Sequence, residues 1–294
     1  MKTFLLGVGA QKSATSWLYS YLQTHEHCDL GFMKEYHVFD ALFAPHIRLR
    51  DFMVNNLKTV QELTELKIKK LNGKTPVLDA KLDRALKVAS FYTDTENYAH
   101  YFDQLHGANK KTKVVGDITP SYNMLEAEGF AFVKALLERH RFKVKVIFLM
   151  RDPVERAYSA ARMHIRNLEA TDKVVRGTAE EVMNRQIEGA NNFRRGQYDL
   201  TIKALEQVFD ADDIHYGFYE TLFDDAEIRK ITNFLGIDFM APDFDKKVNS
   251  SPRPTELSEE SIIQARHRFE EVYHFCKAKF GEEFIERIWQ RRAI

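Results

Sequence analysis

The stretch Phe4-Leu5-Leu6-Gly7-Val8-Gly9 is apolar throughout and passes directly into Ala10-Gln11-Lys12-Ser13-Ala14-Thr15-Ser16-Trp17-Leu18 and an amphipathic segment. A short apolar run bounded in this way reads as a strand buried on both faces, which calls for a parallel sheet covered by helices. Gly7 and Gly9 let the backbone pass where a side chain would obstruct it. The first helical turn then offers N–H groups that have no intrahelical partner, together with Lys12 and the hydroxyls of Ser13, Thr15 and Ser16. Such a layout suits a phosphate cradle; an ordinary strand-to-helix turn, where small residues are common, is the plain alternative.

The spacing narrows the phosphate chemistry. A Walker-type triphosphatase loop needs Gly immediately before its Lys, and Gln11 occupies that position. A second anion element follows another apolar, β-branched run, Val144-Lys145-Val146-Ile147-Phe148-Leu149-Met150. Behind it come Arg151 at the switch from strand to helix, Asp152 as a natural N-cap, Pro153 at the first helical position and Glu155 completing a capping-box-like start. A guanidinium there can fork onto a phosphate, and Ser159, two turns along, adds a hydroxyl.

Gly9 to Leu18 resembles the 5′-phosphosulfate loop of sulfotransferases that use 3′-phosphoadenosine 5′-phosphosulfate, with Ala14 where that loop usually has Gly and Ser16 where it has Thr. Arg151 followed by Ser159 matches that family's 3′-phosphate pair. Lys34-Glu35-Tyr36-His37-Val38-Phe39-Asp40 is similar to the Lys-Glu-x-His-Phe-Phe-Asp segment of heparan-sulfate-type glycan sulfotransferases. Gly116-Asp117-Ile118-Thr119-Pro120-Ser121-Tyr122 resembles their Gly-Glu-x-Thr-Pro-x-Tyr turn. Arg195-Gly196-Gln197-Tyr198, Tyr219-Glu220-Thr221-Leu222 and Phe234-Leu235-Gly236 resemble shorter segments further on.

The resemblance implies a sulfotransferase fold, P-loop-like and three-layered, with a central parallel sheet flanked by helices. It implies 3′-phosphoadenosine 5′-phosphosulfate as co-substrate, adenosine 3′,5′-bisphosphate as product, and a carbohydrate or small-molecule acceptor sulfated on oxygen or nitrogen. The donor would be held by Gln11, Lys12, Ser13, Ala14, Thr15, Ser16, Arg151, Ser159, Tyr198 and Arg253, the last in a Pro-punctuated loop, 248–254, where the family closes over the nucleotide. By carry-over Glu35 is the general base and His37 a positioning residue or substitute base. Lys34, Asp117 and Tyr122 are the acceptor-side candidates, although Tyr122 and Tyr198 also read as core aromatics.

Sulfuryl transfer requires in-line positioning and stabilisation of leaving-group charge, for which Lys12 is placed. The scheme requires no metal, and no Asp/Glu/His cluster with ligand spacing is visible. Two rivals remain at this level: a P-loop nucleotide kinase or triphosphatase, which the missing Gly-Lys pair opposes, and a catalytically silent binding module that keeps the nucleotide fold.

The 294 residues fit one α/β domain, 1–294. Forty-three basic residues balance 43 acidic ones, so no global field favours nucleic acid, and basic clusters at Arg139–Lys145 or Arg194–Arg195 act locally if at all. Cys28 and Cys276 lack metal-ligand spacing and read as reduced thiols. The apolar N-terminus is too short for a signal peptide and no run of about 18 apolar residues occurs, which leads to the expectation of a cytoplasmic enzyme, without the Golgi anchor usual in eukaryotic glycan sulfotransferases and so bacterial or viral.

The βα alternation predicts strands at 3–9, 75–79, 113–116, 144–150 and 213–218. It predicts helices at 15–24, around 48–71, near 84–106, and at 125–140, 153–167, 198–209 and 225–235, with a loop through 25–40. Residues 169–196 read as a helical insertion or lid, and a C-terminal helix pair spans roughly 258–279 and 282–292.

Overall fold

The computed structural model describes residues 2–44, 49–69, 76–245 and 256–289. The chain runs β1 (Lys2–Gly9), α1 (Thr15–Gln23), β2 (Cys28–Asp29), α2 (Val38–Phe43), α3 (Leu49–Lys69), α4 (Pro76–Thr93), α5 (Thr95–Ala108), β3 (Val114–Ile118) and α6 (Ala127–Arg139). It continues through β4 (Phe142–Met150), α7 (Pro153–Glu169), α8 (Ala179–Glu188), α9 (Ala190–Arg194), α10 (Tyr198–Glu206), β5 (Ile214–Phe218), α11 (Asp225–Leu235), α12 (Glu259–Arg268), α13 (Glu270–Phe280) and α14 (Glu282–Trp289).

The five strands form one sheet in the order β2-β3-β1-β4-β5, and every pairing is parallel. Successive side chains go to opposite faces. Phe4, Leu6 and Val8 of β1 join Val144, Val146, Phe148 and Met150 of β4 in one core, with rings from α5, α6 and α13. Leu5, Ile147 and Leu149 enter a second core beneath α1 and α11 with Trp17, Leu18, Leu22, Ile228 and Ile231. Burial on both faces is why β1 and β4 read as unbroken apolar runs.

β1 lies in the middle, its connection leading to one edge of the sheet, while the connection from its neighbour β4 leads to the other. A crevice therefore opens where these two strands end, the position at which open α/β sheets bind ligands. Gly9, at the end of β1, has φ 134° and lies so close to the next segment that a β-carbon would stand 2.7 Å from Pro120 O. Gly9→Ala is expected to lower unfolding free energy by about 1–3 kcal/mol, read from a shifted denaturant midpoint at unchanged m-value.

Residues 75–79 do not form the expected strand: Thr75 lies outside the described residues and Pro76 opens α4. Pro at the first position, Asp79 in the first turn and burial of Leu82, Ala85, Val88 and Phe91 along one stripe all favour helix, and Val77 is 70% exposed where a central strand would bury it. The stretch 25–40 is not wholly loop. It holds β2, a two-residue edge strand too short for a periodic signal, and α2, entered through His37 at φ 54°. Within 169–196, α8 is fixed by a Thr178/Glu181 capping box and buries Val182, Met183 and Ile187; none of residues 169–194 lines the cavity described below. The C-terminal pair is three helices, broken at Phe269 and Gly281.

Cys28 and Cys276 are buried free thiols, both pushed up to about 12 by burial. The Arg139–Lys145 cluster is locally neutralised: Arg139 pairs with Glu96 at 2.5 Å, and Lys143 and Lys145 share Asp213 at 2.9 and 2.8 Å. Among the described residues no helix is long and apolar enough to cross a membrane.

Candidate active site

The crevice after β1 and β4 widens into a cavity of about 650 Å³. Its first wall is the turn from β1 into α1. Ser13 N–H closes that turn onto Ala10 O (3.2 Å), and Trp17 and Leu18 N–H both donate to Ala14 O (3.0 Å). Lys12 and Ala14 adopt left-handed backbone, φ 71° and 63°, on either side of Ser13. A β-carbon costs on the order of 1–2 kcal/mol there, so Ala14 sustains a conformation for which Gly is the usual residue. Among the described residues the amides of Ala14 and Thr15 donate to no protein group, which leaves two N–H donors at the positive end of α1.

Arg151 bridges the two loops. Its guanidinium donates to Lys12 O and to Glu155 Oε2, both at 3.3 Å, and its carbon lies 4.3 Å from the Tyr219 ring centroid. Asp152 caps α7 by accepting from Val154 and Glu155 N–H at 2.9 and 3.0 Å. A buried brace holds that cap: Asp152 N–H donates to Glu220 Oε1 (2.9 Å), Tyr273 O–H to Asp152 Oδ2 (2.9 Å) and Trp289 Nε1–H to Glu220 Oε2 (3.3 Å). Burial pushes Glu220 up to about 7. Tyr198 O–H donates to Arg151 O (2.8 Å), which fixes the same junction from α10.

From α7, Ser159, Arg162, Met163 and Arg166 face the cavity at helical spacing. Lys12 Nζ lies 3.7 Å from Met163 Sδ. Burial, and then the positive charges of Arg166, Arg151, Arg162 and Lys34, bring Lys12 down to about 8. Arg195 joins this cationic lining.

The opposite wall is the segment after β2. Lys34 bonds to Glu35, Glu35 Oε2 accepts from His37 Nε2 (3.3 Å), and Asp40 Oδ2 accepts from His37 Nδ1 (2.7 Å) and from Ser121 O–H. Burial opposes charge on His37, but the hydrogen bonds to Asp40 and Glu35 outweigh it and hold the imidazolium up to about 9. Glu35 is the converse case. Burial opposes its charge, yet His37 and Lys34 bring it down to about 2, so it is an acceptor-only carboxylate at neutral pH.

Of the residues singled out in sequence, the cavity gathers Gln11, Lys12, Ala14, Thr15, Ser16, Lys34, Glu35, His37, Arg151 and Ser159. Four others lie behind its wall. Ser13 is fully buried with its amide already used in the turn. Asp117 and Tyr122, expected at the acceptor, are instead a buried knot: Asp117 accepts from Tyr98 (3.0 Å), Thr119 (2.7 Å) and Tyr122 (2.7 Å), while Thr119 Oγ1 accepts from Tyr36 N–H (3.0 Å). Burial raises Asp117 to about 6. The bond from Tyr36 N–H ties the knot to the segment that carries Glu35, so it braces that segment from behind. Tyr198 likewise buries its ring in the core, behind Arg151. Arg253 lies outside the described residues.

Sequence reasoning missed the aromatic end of the cavity, where Trp17 stacks on Phe244 (5.7 Å, 17°) and meets Phe223 edge-on (5.3 Å). It also missed Arg162 and Arg166, whose signal was present as the i+3 and i+7 positions after Ser159. Among the described residues no group of three or more His, Cys, Asp or Glu is arranged to hold a metal ion.

A central β-strand that runs through a tight turn into α1, a second strand that ends at Arg151, and a crevice between them lined by Lys12, Arg151, Arg162, Arg166 and Arg195 define a P-loop-like three-layer α/β protein. The chain belongs to the sulfotransferase family, whose sequence profile matches residues 5–241. A sulfotransferase from Alicyclobacillus acidocaldarius has the same fold: 19% identity, 95% of both chains covered, TM-score 0.58. The sulfotransferase domain of the curacin biosynthetic pathway is 14% identical over 92% of this chain and 98% of its own, with a TM-score of 0.49. That of the Synechococcus PCC 7002 olefin synthase is 18% identical over 90% and 93%, with a TM-score of 0.45. No curated protein matches the chain.

Proposed function

We propose that this sulfotransferase takes its sulfuryl group from 3′-phosphoadenosine 5′-phosphosulfate and delivers it to a hydroxyl or amine, with a carbohydrate as the acceptor class. The observation that carries the donor reading is that two separate sets of cationic and N–H donors line one crevice. Lys12 with the Ala14 and Thr15 amides suits a 5′-phosphosulfate, Arg151 with Ser159 suits a further phosphate, and Trp17 with Phe244 offers a flat aromatic wall for a base. The carbohydrate reading rests on the similarity of residues 34–40 and 116–122 to glycan enzymes.

In this scheme the acceptor oxygen or nitrogen forms a bond to sulfur while the bond from sulfur to the bridging phosphate oxygen breaks. Lys12 meets the charge left on that oxygen, and Glu35 Oε takes the acceptor proton. His37 is already protonated below about pH 9 and has no lone pair to offer, which favours Glu35 as the base and leaves His37 to aim it.

Calorimetric titration without magnesium, using adenosine 3′,5′-bisphosphate, adenosine 5′-phosphate and ATP, tests the donor assignment on wild type and Arg151→Ala. Wild type is expected to select the bisphosphate, and Arg151→Ala to lose about 1.5–3 kcal/mol of that affinity, the weight of a charged hydrogen bond. Equal binding of all three nucleotides would remove the assignment.

A further inference from the structure

Arg156 sits on α7, four residues beyond the cap Asp152 and three before Ser159. It is 1% exposed, and its Nε and Nη1 have no hydrogen-bond partner; only Nη2 donates, to Asn192 O at 3.2 Å. Among the described residues no carboxylate pairs with it. Its neighbours include the Tyr198 phenol and two further cations, Arg151 and Arg195, and with burial those cations bring it down to about 10, so it stays charged at neutral pH. The chain comes close above it because residue 196 is glycine: a β-carbon there would stand 3.5 Å from Arg156 Nε and 2.6 Å from Phe269.

A guanidinium desolvated without a counterion is a cost to folding, since an apolar side chain of similar volume fills the same space without it. Its charge is thus unexplained by the described residues alone. Arg151, Ser159 and Arg195 all line the cavity, so the charge lies directly behind the wall that receives anions.

We propose that Arg156 is a positioning residue of the donor site, a buried cation whose counterion is the 3′-phosphate of the bound nucleotide, acting from behind Arg151 and Ser159. The inference rests on the donor reading above. It also explains why Gly196 and Tyr198 press onto this spot: they exclude water, which would otherwise screen the charge.

The test uses the whole chain as wild type, Arg156→Met and Arg156→Lys, titrated with adenosine 3′,5′-bisphosphate and adenosine 5′-phosphate and melted without ligand. Arg156→Met is expected to melt at or above the wild-type midpoint and to bind the bisphosphate about tenfold more weakly, with the 5′-phosphate changed by less than about threefold. Arg156→Lys is expected to recover most of the bisphosphate affinity. A Met variant that binds the bisphosphate like wild type, or that melts lower or fails to fold, overturns the proposal, the last because it makes Arg156 a structural residue. If wild type itself shows no preference for the bisphosphate, the donor reading falls and takes this inference with it. If the preference survives in Arg156→Met, the inference alone falls.

Discussion

Lys12→Ala is expected to reduce kcat by about 10²–10³-fold while the protein remains folded. The backbone supports the second half of that statement: residue 12 has φ 71° whether it carries a lysine or an alanine, so the substitution adds no conformational cost. The ammonium is also brought down to about 8, by burial first and then by the like charges of Arg166, Arg151, Arg162 and Lys34, and so contributes little to holding the ligand-free fold. The same crowding gives a pH signature. Lys12 is needed charged, and its charge in the free enzyme is lost as pH rises through about 8, so kcat/KM should fall on that side. Bound phosphates favour the ammonium, so kcat should hold to higher pH. Lys12→Arg should abolish this alkaline limb, because a guanidinium keeps its proton. A Lys12→Ala enzyme within threefold of wild type would remove Lys12 from the leaving-group role.

Glu35→Gln is expected to reduce kcat by about 10²–10⁴-fold, the usual weight of a general base, with bisphosphate affinity retained. The amide preserves shape, and its oxygen still accepts from His37 Nε2, so the loss isolates the proton acceptor. The pH dependence separates the two candidates. A carboxylate brought down to about 2 is ionised across the working range and gives no acid limb near neutrality. An imidazole held up to about 9 would have to lose its proton first, and activity would climb towards that pH. A fully active Glu35→Gln enzyme whose rate climbs with pH, at a lower pH than about 9 because Glu35 no longer helps to hold the imidazolium, would transfer the role to His37.

Much of this was written in the order of residues. β1, β4 and the two anion elements behind them were legible because a strand buried on both faces has little freedom in composition, and because turn, cap and first helical position each demand particular residue types. The 3.6-residue period past Ser159 held Arg162 and Arg166 as well, though a charged stripe on a helix ordinarily means solvent. Pro76-Val77-Leu78 misled, since two apolar residues do not separate strand from helix and the deciding stripe, Leu82 to Phe91, comes later. Asp117 and Tyr122 were identified as important, but the structure gives them other surroundings: sequence shows that a carboxylate ends a strand, not that Tyr98 from the preceding helix will close over it. Phe223 and Phe244 reach Trp17 only through tertiary packing, and no local pattern marks that meeting.

The brace behind Arg151 gives the last fifth of the chain an architectural duty. The family profile ends at residue 241, yet Tyr273 and Trp289 reach back to hold Asp152 and Glu220 behind the crevice. A domain trimmed to the profile would keep every residue that faces the crevice except Phe244 and still strip Asp152 and Glu220 of these partners, so that the cap of α7 would drift and Arg151 with it. The pocket is thus lined by residues up to 244 and tensioned by ones beyond it.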